Sequence, residues 1–278
     1  MAVAADTHSV GATRRWPLLL LAALTAACLV AAFILAPLPQ PLSYHRFADD
    51  RTFLAIPNAL NVLSNLPFLW FGAQGLWVLS RGNLRWHHPR EALPYRVFFL
   101  GAALTCFGSM YYHWSPDNTR LVWDRLPMTL AFSGLVAALL AERVHPSWGR
   151  RSLAPLLILG AASVLYWSFT ERAGQGNVLP YGIFQGWSIA IALLVLLLFG
   201  AYRYTHGALL WWPIFWYAAA KLAEALDRTL YRATGEWVSG HTLKHLLAAV
   251  AVYALLRMLM RRELVVVTHE SSAAAAAR

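Results

Sequence analysis

The sequence predicts an all-α, polytopic membrane helix bundle of eight spans. Three observations support that reading. First, 59% of the 278 residues are hydrophobic and only 13% are charged, with a mean hydropathy of +0.48, whereas soluble domains carry about 25% charged residues. Second, the apolar residues gather into stretches close to the 20 or so residues that a helix needs to cross a hydrocarbon core of about 30 Å. Third, arginine is rich and poor by turns in the gaps between those stretches.

The stretches follow in order. The first, 17–36, contains no charge. Arg14 and Arg15 precede it as they would a signal peptide, but it exceeds the roughly 7–15 apolar residues of such a segment, and Pro37 follows Ala36. It is therefore expected to be a retained anchor. The second, 57–80, is also uncharged; Pro57 marks its start and Pro67 a kink. The third and fourth, 95–114 and 121–141, flank the short turn Ser115-Pro-Asp-Asn118. The fifth and sixth, 153–170 and 181–202, carry no charge. The seventh, 208–230, contains Lys221, Glu224 and Asp227, and the eighth, 240–258, contains His241, Lys244 and His245. Charge inside a bilayer is costly and marks function or internal pairing. Cys28 and Cys106 both lie in apolar runs, so no disulfide framework is implied. Trp16, Trp77, Trp86, Trp114, Trp167 and Trp237 fall near span ends, as in interfacial belts.

Eight spans put thirteen arginines on one side: 14, 15, 81, 85, 90, 96, 143, 150, 151, 203, 257, 261 and 262. The other side has Arg46, Arg51, Arg120, Arg172 and Arg232, joined at most by Arg125 and Arg228. The bias predicts that both termini are cytoplasmic; seven or nine spans would scramble it. The net charge of +10 is spread over these gaps rather than over one face, which argues against a nucleic-acid partner. The 21 arginines against two lysines suggest a GC-rich bacterial genome, hence a plasma membrane.

On this topology five polar side chains converge toward the non-cytoplasmic side. Ser109 and His113 lie in the last turns of the third span, Asp124 in the first turn of the fourth, and His241 and His245 in the first turns of the eighth. His241 and His245 are i,i+4 and so share a helix face. With His113 they make a three-nitrogen set, the ligand pattern of a catalytic zinc with one position left for water. Zinc lowers the pKa of bound water to around 7. Asp124 would then act as general base or as a hydrogen-bond acceptor that orients a histidine, and Ser109 as donor to an oxyanion or as water positioner. The plainer alternatives are that Ser109 is a small packing residue and that Asp124 pairs with Arg120 or Arg125. His87, His88, His145 and His206 fall in the cytoplasmic gaps and read as loop residues.

Ser109-x3-His113, Asp124 and His241-x3-His245 resemble the signature of the alkaline ceramidase family, in the superfamily that includes the adiponectin and progestin receptors. Ile56-Pro-Asn-Ala-Leu-Asn-Val-Leu-Ser-Asn65, Glu171-Arg-x-Gly-x-Gly-Asn177 with Pro180-Tyr-Gly, and Ser239-Gly-His-Thr-Leu-Lys-His245 are similar to bacterial ceramidase-like members. The resemblance spans about 44–260. It implies a seven-helix core, zinc on His113, His241 and His245, catalytic roles for Ser109 and Asp124, and hydrolysis of ceramide or a related lipid amide. The expected division is then 1–43, cytoplasmic N-terminus and extra transmembrane helix; 44–262, seven-helix membrane catalytic core; and 263–278, disordered cytoplasmic tail. Eukaryotic members also bind calcium through an acidic N-terminal segment. Here that region reads Tyr44-His-Arg-Phe-Ala-Asp-Asp-Arg51, with Asn58 in place of a glutamate. Asp49 and Asp50 could hold Ca²⁺ or could pair with Arg46 and Arg51.

The expectation is therefore a zinc-dependent lipid amidase. The competing readings are a lipid receptor or sensor with little turnover, a haem or di-iron protein, and a metal-free hydrolase using Ser109 and His113. Only His45 joins the three histidines on the outer side, too few for membrane di-iron chemistry.

Overall fold

The computed structural model describes residues 15–201 and 203–265. The helices run α1 (Arg15–Ile34), α2 (Ala59–Leu63), α3 (Leu66–Ser80), α4 (Ala92–Trp114), α5 (Asn118–Leu139), α6 (Pro146–Arg172), α7 (Leu179–Leu198), α8 (Trp211–Ala225), α9 (Asp227–Ala233) and α10 (Gly240–Arg261). A π-helical turn, Leu140–Val144, extends α5. Among the described residues there is no strand, only the isolated bridges Phe53–Ile56 and Tyr204–Leu264. The protein is an all-α membrane bundle: seven segments are long and apolar enough to span a bilayer.

Those seven match seven of the eight expected spans. The segment 208–230 differs, breaking at Leu226 into α8 and α9. The break lets Asp227 turn inward, where its carboxylate accepts hydrogen bonds from the backbone N–H of Ala48 at 2.9 Å and of His241 at 2.7 Å. The charges of this stretch are internally paired: Glu224 receives Lys221 on its own helix and Lys244 of α10, the latter at 3.0 Å.

The stretch 57–80 is interrupted between α2 and α3. Pro67, in the first turn of α3, has no N–H to give the Leu63 carbonyl. Asn65 Nδ2 compensates by donating to the Asn61 carbonyl at 2.8 Å. The helix α1 is peripheral, burying only Pro17 and Leu21. It is tied to α7 where Trp187 Nε1 donates to Thr25 Oγ1 at 3.0 Å.

Two glycines bring the site elements together. A Cβ at Gly108 would strike the main chain of Trp123 and Asp124, so α4 and α5 touch backbone to backbone beside Ser109 and Asp124. Pro127 helps, because it leaves the Trp123 carbonyl without its usual helical donor. A Cβ at Gly240 would strike the Ala223 carbonyl and Asp227, which fixes the start of α10 against α8 and α9.

The opposite end of the bundle holds a charged cluster that the sequence did not suggest. Arg262 pairs with Glu142 and lies over the rings of Trp86 and Tyr204 at 4.3 and 4.0 Å. Glu91 receives Arg203 at 2.8 Å and the Tyr204 hydroxyl. Here too the start of the expected disordered tail is docked: Thr205 N–H donates to Glu263 O at 2.9 Å and Val265 N–H to Arg203 O at 3.0 Å. The rest of that tail, and residues 1–14, lie outside the described residues.

Candidate metal centre

The last turn of α4 and the first turns of α10 meet, and His113, His241 and His245 form one buried group. One ring nitrogen from each lies within 4.8 Å of the others, the only such metal-competent cluster among the described residues. His113 Nε2 and His241 Nε2 are 3.3 Å apart. Metal–nitrogen bonds of about 2.0–2.1 Å in a tetrahedral site set nitrogens about 3.3 Å from one another, so the spacing of this pair is that of two ligands of a single ion. The donor set, three imidazoles without thiolate, suits zinc among other first-row metals.

The rings are held from outside, as metal-binding histidines require. His245 Nδ1 bonds Ser64 Oγ at 2.8 Å, with Asn65 Nδ2 at 3.4 Å. Asn58 Nδ2 donates to the His113 carbonyl at 2.9 Å. Asn61 takes a hydrogen bond from the Thr242 hydroxyl at 3.0 Å and donates to the Asp49 carbonyl at 2.9 Å. The Asp227 carboxylate meets the His241 N–H at the positive end of α10, and Ser239 caps that helix through the Thr242 N–H at 3.1 Å. His113 Nδ1 is the exception, buried with no hydrogen-bond partner among the described residues. Its ring is instead packed between Phe47 and Tyr112, each at 4.7 Å. Phe47 also covers His241, at 4.4 Å.

His245 opens onto a cavity of about 580 Å³, within the roughly 300–1,000 Å³ of small-molecule pockets. Ser109, Asp124, Arg125, Tyr44 and Lys244 share this polar head, while Phe98, Leu135, Ala192, Leu193, Val252 and Leu255 line the apolar remainder. Ser109 is buried and its hydroxyl lies beside the Asp124 carboxylate. The structure thus gathers all five residues singled out in the sequence.

Neither arginine is found paired with Asp124. Arg120 lies 3.9 Å from Asp117 and bonds the Ser115 carbonyl. Arg125 Nη2 donates to Gln40 Oε1 at 2.6 Å. Trp167 is a correction: it is no interfacial residue but fully buried, with the Arg125 guanidinium 4.4 Å from its ring centre. Of the calcium candidates, Asp49 gives one oxygen to Arg51 Nε and the other to Arg51 Nη2, both at 2.8 Å; this pairing raises the pKa of Arg51 above its ordinary value. His45 stands apart from the cluster, bridging Tyr112 and Asn118 at 2.9 and 2.8 Å. His88 and His145 cap helices, and His87 bonds the Arg203 carbonyl.

Sequence reasoning noted the stretches holding Phe47, Asn58, Asn61, Ser64 and Asn65 and the charge of Asp227, but gave none of these residues its place around the histidines. Four of them form a polar stripe in an otherwise apolar span, which is a usable signal. No family model matches the chain, and no curated protein matches it.

Proposed function

We propose that the protein is a membrane hydrolase that uses zinc to cleave the amide bond of ceramide or a related lipid amide, releasing a fatty acid and a sphingoid-type amine. The observation that supports this most is a cluster of three buried imidazoles, one of which, His245, lines a largely apolar cavity together with Ser109 and Asp124. His113, His241 and His245 would hold the ion, which would supply Lewis acidity and bring the pKa of water to around 7.

The chain's own groups supply the rest. Asp124 takes the proton from attacking water and passes it to the leaving nitrogen. Ser109 donates to the oxygen on which charge develops. The apolar wall takes an acyl chain and keeps bulk water from it. Calcium is not needed in this reading, and both Asp49 carboxylate oxygens meet Arg51. With α8 and α9 counted together as an eighth, broken crossing, the arginine distribution supports a site toward the non-cytoplasmic side and both termini cytoplasmic, while the 21 arginines against two lysines support a bacterial plasma membrane. The five-residue resemblance to alkaline ceramidases points to the same chemistry.

Purified protein is expected to carry about one zinc per chain and to release fatty acid from a ceramide. His241→Ala is expected to lose both metal and turnover. Undiminished hydrolysis by that variant, or by protein stripped with a strong chelator, would sink the reading. Lipid binding without any product would point to a sensor instead.

A further inference from the structure

Arg125, like Tyr44 and Lys244, is a group at the cavity head that the proposed chemistry does not use. It follows Asp124 on α5, is 6% exposed, and lines the same cavity as His245 and Ser109. A guanidinium is a permanent cation with five donors. Burying one without a counter-charge is costly. Yet among the described residues no carboxylate lies within ion-pair distance of Arg125, and its Nη1 has no hydrogen-bond partner. Its neighbours are neutral: Gln40 through Nη2, and the rings of Trp167, Tyr181 and Tyr44 at 4.4, 4.8 and 5.7 Å. They hold the guanidinium in place without neutralising it.

The rest of the head supplies counter-charge only at a distance, from Asp124, which also faces Lys244. Glu224 is shared between Lys221 and Lys244, so that trio keeps a surplus positive charge, and all three residues line the cavity. Asp124 sits with Ser109. The cavity therefore presents a buried guanidinium with no ion-pair partner in contact and an open Nη1 donor, next to the carboxyl group proposed to move protons, with an apolar wall beyond.

We propose that Arg125 is an anion subsite and that the preferred substrate is a lipid amide carrying a carboxylate on its amine half, that is, an N-acylated amino acid, rather than a neutral ceramide. This rests on the amidase reading for the word substrate but not for the binding site. An acid attached to the amine half lies only a few bonds from the scissile carbonyl. With the carbonyl at the histidines and the acyl chain along Phe98, Leu135 and Leu193, that acid is the part of the molecule left to meet Nη1. The contact would be a charge-assisted hydrogen bond, the stronger class.

Binding to purified protein, read by tryptophan fluorescence, separates the possibilities. The probes are N-hexadecanoylglycine, neutral N-hexadecanoylethanolamine and hexadecanoate. Wild type is expected to bind the glycine conjugate at least about tenfold more tightly than the ethanolamide. Arg125→Gln is expected to remove that preference while leaving ethanolamide affinity within about twofold, which also reports that the variant is folded. Arg125→Lys should retain part of the preference, since it keeps the charge but not the fork.

Equal affinity of wild type for the two amides would overturn the proposal. So would an Arg125→Gln variant that weakens both alike, because the arginine would then be a structural tie. An effect confined to hexadecanoate would assign the cation to the acyl-side acid and overturn the substrate class. Charge-selective binding with no hydrolysis would sink the amidase reading and leave the subsite standing.

Discussion

At the residue scale, the centre depends as much on what grips the imidazoles as on the imidazoles themselves. Ser64 fixes His245 through Nδ1 at 2.8 Å, which orients the ring with Nε2 toward the other two histidines. Ser64→Ala is expected to lower metal affinity about 10–100-fold, measured by competition with a chromophoric chelator, while helical content is unchanged. Unaltered affinity would mean that packing alone orients the ring. The histidines themselves were legible, because an i,i+4 pair shares a helix face whatever the tertiary structure. Ser64 and its neighbours were harder to read. Asn58, Asn61, Ser64 and Asn65 are visible as a polar stripe at the start of 57–80, but their partners are up to 181 residues away, so the stripe alone does not say what it holds. Trp167 was misread for a related reason. Its place near a span end fits an interfacial belt, and nothing local reveals the buried Arg125 against its ring.

At the element scale, the α4–α5 hairpin is the part that must not move. Ser109 and His113 ride on one helix and Asp124 on the other, and Gly108 sets their separation by contact with the Trp123 main chain. Gly108→Val would drive the helices apart, with a cost of about 1–3 kcal/mol from overpacking. A lower thermal unfolding midpoint in detergent and reduced zinc content are both expected. Gly182→Val on α7 is the control, since nothing lies within 4 Å of a Cβ there, and it should leave zinc content alone. Equal metal loss in both variants would refute a special role for the hairpin contact. The elements were largely visible beforehand, because seven long apolar runs can hide their backbone polarity only as helices. The split of 208–230 was not visible. Its charges looked like a weak span, whereas Glu224 and Asp227 each answer groups on α10, and α9 turns away to let them do so.

At the scale of the whole molecule, the bundle keeps two polar clusters at opposite ends of an apolar middle. One surrounds the histidines; the other joins Arg262, Glu142, Tyr95, Glu91 and Arg203. The second cluster has a structural task, since it locks the end of α10 to the π-helical turn after α5 and to the loop before α8. Glu142 accepts from Tyr95 at 2.6 Å and pairs with an Arg262 side chain that is 2% exposed. Removing one member of such a pair leaves the other charge buried and alone, a loss of about 3–5 kcal/mol. Arg262→Met is therefore expected to lower the unfolding midpoint sharply. The Arg262→Met, Glu142→Gln double variant should recover much of that loss, because no uncompensated charge remains. Both should match wild type in metal affinity at the proposed site below their unfolding temperatures, since no contact of the histidine cluster passes through this end. If zinc affinity fell together with stability in the single variant and returned in the double, the two ends would be coupled through α10. That result would replace a picture of an independent lock and site with one of a single strained helix spanning both.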